Sequence, residues 1–265
     1  MSGVRSRLDE SRREGRAALV GYLPAGFPSY DGAIEAFAAM VAAGVDVVEV
    51  GLPYTDPVMD GPTIQRAAEQ ALAAGTRTRH VLDTVTAVAA SGVPVLVMTY
   101  WNPIERYGAA AFARDLANAG GAGLITPDLI PDEAAAWVAA ADEHELDKVF
   151  LVSPSSTDER IAMTAQACRG FVYATAVMGV TGARDLTSAA APTLAARVRA
   201  VSDQPVGVGL GVSTGDQAAE VAGYADAVIV GSAFVRQLLD AAKPAAGVAA
   251  TAALAAEMAD GVRRR

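Results

Sequence analysis

The segment Val45-Asp46-Val47-Val48-Glu49-Val50-Gly51 is the clearest strand in this 265-residue sequence, and it decides the fold. It is apolar on both faces, which is typical of a parallel strand covered by helices on one side and by a core on the other. Because side chains alternate along a strand, one face carries Glu49, and the other carries Val48 and Val50, which suit a layer of helices.

Seven more apolar, β-branched segments recur along the chain, and Ala-rich segments with helical periodicity separate them. The eight predicted strands are Ala18–Tyr22, Val45–Val50, Val95–Thr99, Gly123–Thr126, Lys148–Val152, Gly170–Ala174, Val206–Gly209 and Ala227–Val230. The predicted helices include Tyr30–Ala43, Thr63–Ala74 and Asp132–Glu145. Eight strands alternating with helices predict an α/β fold, a single (β/α)8 TIM barrel over residues 1–265 with an extra N-terminal helix and an extra C-terminal helix.

An open, doubly wound sheet is the alternative arrangement of the same elements. Such sheets bind dinucleotides through a glycine-rich turn, but Gly207-Val208-Gly209-Leu210-Gly211 has no glycine at the third required spacing. The barrel is therefore favoured. In a barrel, the active site lies at the C-terminal ends of the strands and in the loops that follow them.

The composition disfavours several classes of function. The 21 Lys and Arg residues against 30 Asp and Glu residues give a net charge of −9, which repels nucleic acid and anionic membranes. A single cysteine, Cys168, is typical of a reducing compartment, and together with two histidines it does not make a His/Cys metal site. The charged segment 6–14 does not fit a signal peptide, and Pro94 interrupts the longest uncharged run, residues 84–104. We expect a soluble, cytoplasmic protein.

Glu49 is the first candidate catalytic residue. On its strand face it projects into the mouth of the barrel, where an ionised carboxylate is costly unless it is paired or its pKa rises. A pKa near neutrality is what a general acid–base requires. The alternative is a structural Glu paired with an arginine across the top of the barrel, and catalysis is favoured.

The loop after this strand, residues 52–63, contains three prolines and a glycine and holds two more carboxylates. Asp56 precedes Pro57 and Asp60 precedes Gly61, so both could simply form turns. That interpretation is favoured for Asp56. For Asp60 the two interpretations are evenly balanced, and the loop could bring it to the other side of a small substrate from Glu49.

The loops after the last two strands predict a phosphate site. Gly209-Leu210-Gly211-Val212-Ser213-Thr214 follows the seventh strand, and Gly231-Ser232-Ala233 follows the eighth. In such barrels these loops often bind phosphate through backbone N–H groups at a helix start. The loop after the sixth strand, residues 178–184, is long and flanked by glycine, which favours a lid.

Other chemistries lack the residues that they need. A Schiff-base aldolase needs a lysine at the C-terminal end of a strand, but Lys148 begins the fifth strand and Lys243 follows the eighth. A metal-dependent aldolase needs clustered ligands, whereas His80 and His144 fall in separate helical segments. Cys168 precedes the sixth strand and is expected to pack. Acid–base chemistry by carboxylates on a phosphorylated small molecule remains.

The segment Val48-Glu49-Val50-Gly51-Leu52-Pro53-Tyr54-Thr55-Asp56-Pro57, followed by Asp60-Gly61-Pro62-Thr63-Ile64-Gln65, closely resembles the signature of the tryptophan synthase alpha subunit family. The likeness extends over nearly the whole chain through Gly21–Gly26, Met98–Pro103, Pro127–Leu129, Gly179–Gly182 and Gly231-Ser232. It implies a carbon–carbon lyase of tryptophan biosynthesis that cleaves indole-3-glycerol phosphate to indole and glyceraldehyde 3-phosphate. It also implies a beta subunit partner in an alpha2beta2 heterotetramer, which holds pyridoxal phosphate and joins indole to serine, while this chain holds no cofactor or metal.

The resemblance also implies roles for individual residues. Glu49 would move protons between the side-chain hydroxyl and indole C3, and Asp60 would stabilise the indole N–H as positive charge develops. The expected substrate-binding residues are Tyr22 and Tyr173 at the indole, Gly182, Gly211, Gly231 and Ser232 at the phosphate, and Thr181 in the lid. The expected partner face includes the Asp56-Pro57 region and the loop of Asn102.

Several positions depart from the commoner family pattern. Ala176, Val177 and Met178 stand where the lid more often has serine and polar residues. Leu210 replaces a phenylalanine between the phosphate-loop glycines, and Ile130 replaces a proline. These changes concern the lid and the packing around indole, and the catalytic positions are retained.

Three other functions remain as alternatives. A stand-alone indole-3-glycerol-phosphate lyase would use the same carboxylates and release free indole. A sugar-phosphate isomerase with two carboxylates is disfavoured by the length of the motif, and a barrel kept only as an allosteric partner is disfavoured by intact Glu49 and Asp60.

Overall fold

The computed structural model describes residues 3–175, 190–209 and 211–264. All neighbouring strands pair in parallel, in the order β5-β4-β3-β2-β1-β9-β8-β7-β6. The strands are β1 Ala18–Pro24, β2 Val47–Gly51, β3 Val95–Met98, β4 Gly123–Ile125, β5 Asp147–Val149, β6 Leu151–Val152, β7 Val172–Thr175, β8 Val206–Gly209 and β9 Ala227–Val230. Phe150 alone separates β5 from β6, so these two form one interrupted strand that closes the ring. This confirms the predicted (β/α)8 barrel.

Helices follow the strands and cover the outside of the barrel. They are α1 Val4–Arg13, α2 Tyr30–Ala42, α3 Pro62–Ala73, α4 Thr78–Ala89, α5 Trp101–Tyr107, α6 Ala109–Asn118, α7 Ala135–Glu143, α8 Asp158–Ala167, α9 Ala190–Val201, α10 Gly215–Ala222, α11 Ser232–Leu239 and α12 Pro244–Val262. The helices α1 and α12 are the predicted additions at the two ends of the chain.

The helix predicted over Asp132–Glu145 is two elements, a 3₁₀ turn over Pro131–Glu133 and α7. Ala134 lies between them with φ −90° and ψ 9°, outside the helical region, and this residue breaks the helix. At the other end, Glu145 takes a positive φ of 55°, which stops α7 at Glu143.

The alternation in β2 divides its side chains as predicted. Val48 and Val50 pack outward in the layer between sheet and helices. Val47 packs inward with Val20 and Leu96 in the core of the barrel. Glu49 therefore belongs to the inward face, above that core.

The N-terminal helix α1 closes the end of the barrel opposite the mouth. Val4 and Leu8 are buried in the same cluster as the inward-facing residues of the strands. The backbone N–H of Val4 also donates to the Asp147 carboxylate at 3.0 Å, where β5 begins. This end is consequently sealed, and access to the interior is from the C-terminal ends of the strands.

Two further aspartates anchor that closed end. Asp46, just before β2, forms an ion pair with the buried Arg16 at 2.6 Å and accepts from the N–H of Leu19 at 2.9 Å. Asp226, just before β9, accepts from Arg12 at 3.0 Å and from Arg199 at 3.0 Å. These contacts fasten the starts of the strands to one another and to α1.

Within the described residues, α12 is the helix that is long and apolar enough to cross a membrane by length and composition alone. Those properties are shared by core helices of soluble proteins. Here α12 packs against α2, α10 and α11 and buries Ala255, Met258 and Val262. Its apolar face is thus used in covering the barrel.

Candidate active site

Glu49 lies in the mouth of the barrel, on the inward face of β2. It is in register with Tyr22 of β1 and Leu96 of β3, and only 1% of it is exposed. Its Oε1 atom has no hydrogen-bond partner among the described residues. Because burial removes the carboxylate from water, the pKa of Glu49 rises from 4.5 to about 8. The residue is therefore able to exchange a proton near neutral pH, and no paired arginine is found beside it in the described part of the chain.

Two tyrosines border Glu49 in the mouth. The ring of Tyr22 lies over Gly51 so closely that any Cβ at Gly51 would overlap with it. The hydroxyl of Tyr173 would lie 2.5 Å from a Cβ at Gly209, so this position also requires glycine. Burial raises the pKa of both phenols well above the usual value, and the negative charge of nearby Glu49 adds to this. Both tyrosines stay neutral and can donate hydrogen bonds.

Asp60 reaches the same mouth from the loop between β2 and α3. The negative charge of Asp60 contributes to the raised pKa of Tyr22. The two side chains are therefore near one another. Partial burial raises the pKa of Asp60, and a hydrogen bond from the Tyr100 hydroxyl opposes that rise. Its backbone carbonyl accepts from Gln65 Nε2 at 2.8 Å, which ties the loop to α3. The structure thus brings Glu49, Tyr22 and Asp60 together.

Asp56, in the same loop, is different. Its side chain is exposed and accepts from the hydroxyl of the neighbouring Thr55. This local contact is typical of a turn, which was the favoured interpretation. Asp56 lies on the outer surface of the loop and not in the mouth.

The predicted phosphate loops lie on the other side of Tyr22 from Glu49, because β9 pairs with β1 and β8 pairs with β9. Strands β8 and β9 pair directly, so the loops that follow them are neighbours. Gly211 has a φ of 72°, a conformation that glycine adopts without strain. Gly231 precedes α11, which begins at the buried Ser232, and a Cβ at Gly231 would lie 3.3 Å from the Tyr22 ring. Backbone N–H groups at this helix start are suited to an anion.

Several of the positions singled out in the sequence fall outside the described residues. Thr181 and Gly182 lie outside, as do the lid segment 178–184 and the departures Ala176, Val177, Met178 and Leu210. Ile130 is described and exposed, just before the 3₁₀ turn. Nothing in the described structure bears on the lid.

Sequence reasoning missed the residues that support the Asp60 loop. Tyr100, which is buried, accepts from the Met59 N–H at 3.1 Å through its hydroxyl. Asp128, after β4, accepts from the Trp101 N–H at 2.9 and 3.1 Å and so caps α5. Both follow the C-terminal end of a strand, and that position is the signal that would have identified them.

A cavity of about 430 Å³ lies beside this loop. It lies between the loop after β2 and those after β4 and β6, and its lining includes Met59, Leu129, Ser153 and Thr175. Met59 precedes Asp60, so the cavity and the Asp60 loop share a wall.

The residues excluded by elimination lie where they were predicted. Lys148, in β5, contacts Asp142 at the closed end of the barrel, and Lys243 precedes α12. His80 is in α4 and His144 ends α7. Cys168 is buried, and burial raises the pKa of its thiol to about 12, so it is protonated. Over residues 3–175, 190–209 and 211–264, no three His, Cys, Asp or Glu residues are grouped to hold a metal ion.

Comparison with known proteins is consistent with this site. The family model described as tryptophan synthase alpha chain matches residues 8–263. The tryptophan synthase alpha chain of Salinispora arenicola is 65% identical over 263 residues, which are 99% of this chain and 98% of that one. That of Acidothermus cellulolyticus is 61% identical over 264 residues, which are 100% of this chain and 98% of that one.

Solved structures agree with these relatives. A structure of Mycobacterium tuberculosis tryptophan synthase matches with a TM-score of 0.93 and 57% identity, covering 99% of this chain and 98% of that chain. Tryptophan synthase subunit alpha from Legionella pneumophila matches with a TM-score of 0.89 and 32% identity, covering 99% and 98%. By family model, sequence and structure, the chain belongs to the tryptophan synthase alpha chain family.

Proposed function

We propose that this chain is the alpha subunit of a tryptophan synthase and cleaves indole-3-glycerol phosphate to indole and glyceraldehyde 3-phosphate. One observation carries the chemical part of the proposal. Glu49 is buried in the mouth of the barrel with an unpartnered Oε1, and its pKa is raised to about 8. A buried carboxyl that exchanges protons near neutrality is suited to retro-aldol cleavage.

Glu49 moves the protons of the reaction. Protonated Glu49 first gives its proton to indole C3, which leaves the ring positively charged. The resulting carboxylate then takes the proton of the substrate hydroxyl whose carbon is bonded to C3. That oxygen becomes the aldehyde of glyceraldehyde 3-phosphate, and the electron pair of the broken C–C bond returns to the ring, which neutralises its charge and releases indole. A positioned acid–base contributes roughly 10²–10⁴-fold to the rate.

The other residues hold the substrate in place. Asp60 accepts from the indole N–H as the ring becomes positive, which is electrostatic stabilisation of developing charge. Tyr22 and Tyr173 line the indole and glycerol part of the pocket. The phosphate lies against Gly211, Gly231 and Ser232, joined by Gly182, while Thr181 belongs to the lid.

The remaining expectations follow from the family. We propose a single domain over residues 1–265, a cytoplasmic location and assembly with a tryptophan synthase beta subunit as an alpha2beta2 heterotetramer. Solved relatives include a tryptophan synthase of Mycobacterium tuberculosis in an aminoacrylate-bound form, which supports a beta subunit partner. We expect pyridoxal phosphate in the beta subunit, as the resemblance to the family implies, and no cofactor in this chain.

Indole release from indole-3-glycerol phosphate tests the proposal, with wild type and Glu49→Gln each measured with and without a tryptophan synthase beta subunit. The expected result is slow release by wild type alone, a many-fold rise with the partner, and no release by Glu49→Gln. The exposed Glu69→Gln, on α3, is the matched control and should behave as wild type.

Two other results would change the conclusion. Rapid release by wild type alone, unaffected by the partner, identifies a stand-alone lyase. Near-normal activity of Glu49→Gln shows that another group moves the protons.

A further inference from the structure

Tyr100 joins the Asp60 loop to the body of the barrel. It follows the end of β3 at Met98 and is only 5% exposed. Its hydroxyl oxygen accepts from the Met59 N–H at 3.1 Å. Since the N–H occupies a lone pair of that oxygen, the hydroxyl proton remains available to an acceptor beside it. That acceptor is the carboxylate of Asp60, the next residue.

The ring that carries this hydroxyl is itself held in position. Tyr54 packs against it with 5.3 Å between ring centroids, and Asn102 Nδ2 donates to the Tyr54 hydroxyl at 3.0 Å. The backbone immediately after Tyr100 is fixed by the double contact of the Trp101 N–H with Asp128. These contacts hold the Tyr100 hydroxyl in place. Through its hydrogen bond to the Met59 N–H, the hydroxyl in turn holds the Asp60 loop in place.

The surroundings of Asp60 leave its charge dependent on that hydroxyl. Partial burial favours the neutral acid, and the Tyr100 hydroxyl opposes this by donating to the carboxylate. The titratable groups that face Asp60 are Tyr100 from the end of β3, Tyr22 from β1 and, beside Tyr22, Glu49 of β2. Because Asp60 is largely buried, its ionised form is costly without a donor.

We infer that Tyr100 is a positioning residue of the active site, which bridges the Met59 backbone and the Asp60 carboxylate and keeps Asp60 ionised and aimed at the substrate. The inference rests on the proposed function, because Asp60 is assigned to the indole N–H there. It adds a residue that does not touch the substrate and acts through Asp60.

The test is a double-mutant cycle of Tyr100→Phe and Asp60→Asn, assayed with the beta subunit present. Tyr100→Phe removes only the hydroxyl and keeps the ring against Tyr54. We expect kcat/KM to fall about tenfold, the effect of losing one hydrogen bond to a charged group, with both a lower kcat and a higher KM because Asp60 contacts the indole N–H of the bound substrate as well. The acidic limb of the kcat/KM profile should move to higher pH, since ionised Asp60 has lost its donor.

A binding measurement gives the same double-mutant cycle when the turnover of the variants is too low to measure. Indole-3-propanol phosphate, which lacks the side-chain hydroxyls and is not cleaved, is titrated by calorimetry against all four proteins. Tyr100→Phe should weaken its binding in wild type and not in the Asp60→Asn background. The control is Tyr107→Phe on α5, whose hydroxyl contacts Asp115 at 2.7 Å on the surface and should leave every value unchanged.

Each outcome decides one of the proposals. An equal loss from Tyr100→Phe in both backgrounds means that the hydroxyl acts on the fold and not through Asp60, and overturns the inference. A Tyr100→Phe enzyme with wild-type kcat and an unchanged acidic limb of the kcat/KM profile also overturns the inference. In either case, cleavage of the substrate by wild type leaves the proposed function intact. A wild type that neither cleaves the substrate nor binds the analogue overturns both.

Discussion

Replacing Glu49 by Gln should stabilise the protein, and the gain should depend on pH. The pKa of Glu49 is about 8 in the folded chain against 4.5 as its ordinary value. Between these values the folded state holds a proton that the unfolded state has released. Because the unfolded state then binds fewer protons, the free energy of unfolding of wild type falls as the pH rises from about 4.5 to about 8.

The size of this effect follows from the shift. At about 1.4 kcal/mol per pKa unit, a shift of about 3.5 units corresponds to about 5 kcal/mol at and above pH 8. The neutral amide of Gln does not lose a proton over this range. We therefore expect Glu49→Gln and wild type to differ least near pH 4.5, and the variant to be more stable by up to about 5 kcal/mol above pH 8.

Urea unfolding of both proteins at pH 5, 7 and 8.5 measures the difference. The exposed Glu69→Gln removes the same charge from the surface and corrects for the net charge of −9. A stability difference that stays constant across the three pH values would refute the reasoning, because burial of Glu49 would then not oppose its ionisation.

Three further variants test other parts of the structure. Gly51→Ala places a methyl group against the Tyr22 ring, so we expect a loss of about 1–3 kcal/mol in urea unfolding and a lower kcat. Gly211→Ala forces a side chain onto a φ of 72°, which costs about 1–2 kcal/mol and should raise KM for the phosphorylated substrate more than it lowers kcat. Asp226→Asn should destabilise the barrel at pH 7 and should have no effect on the free energy of unfolding in strong acid. Although desolvation raises the pKa of Asp226, its hydrogen bonds and nearby cations lower it overall, so its stabilisation is present above about pH 4 and is lost as the pH falls through the folded pKa. A loss for Asp226→Asn that persists at pH 2 would contradict this.

The period-two alternation of β2 was enough to predict where Glu49 lies. A strand with apolar residues on both faces leaves a single place for a carboxylate, the mouth, and the structure has it there. The order of the strands also predicted that the loops after the last two strands are neighbours, and β8 and β9 do pair; phosphate binding by these loops stays a prediction. Local sequence thus predicts a feature well where one strand or one turn determines it.

The surroundings of Asp60 could not be predicted in this way. Its neighbour Tyr100 is 40 residues away in the chain, and the contact exists only because β2 and β3 pair. The short helix α5, at Trp101–Tyr107, was missed for a related reason. Seven residues with an internal proline have little intrinsic tendency to form a helix, and the cap from Asp128 is supplied by the loop of another strand.

The seal that α1 makes at the closed end of the barrel has a consequence for how the protein is made. Arg12 of α1 donates a hydrogen bond to Asp226, which lies 214 residues later in the chain. At about 5–20 residues per second, α1 leaves the ribosome roughly 10–40 s before that aspartate does. Throughout this interval Val4 and Leu8 have no barrel to enter, and their apolar face is open to chaperones. The helix that closes the fold is therefore synthesised among the first elements and docks among the last.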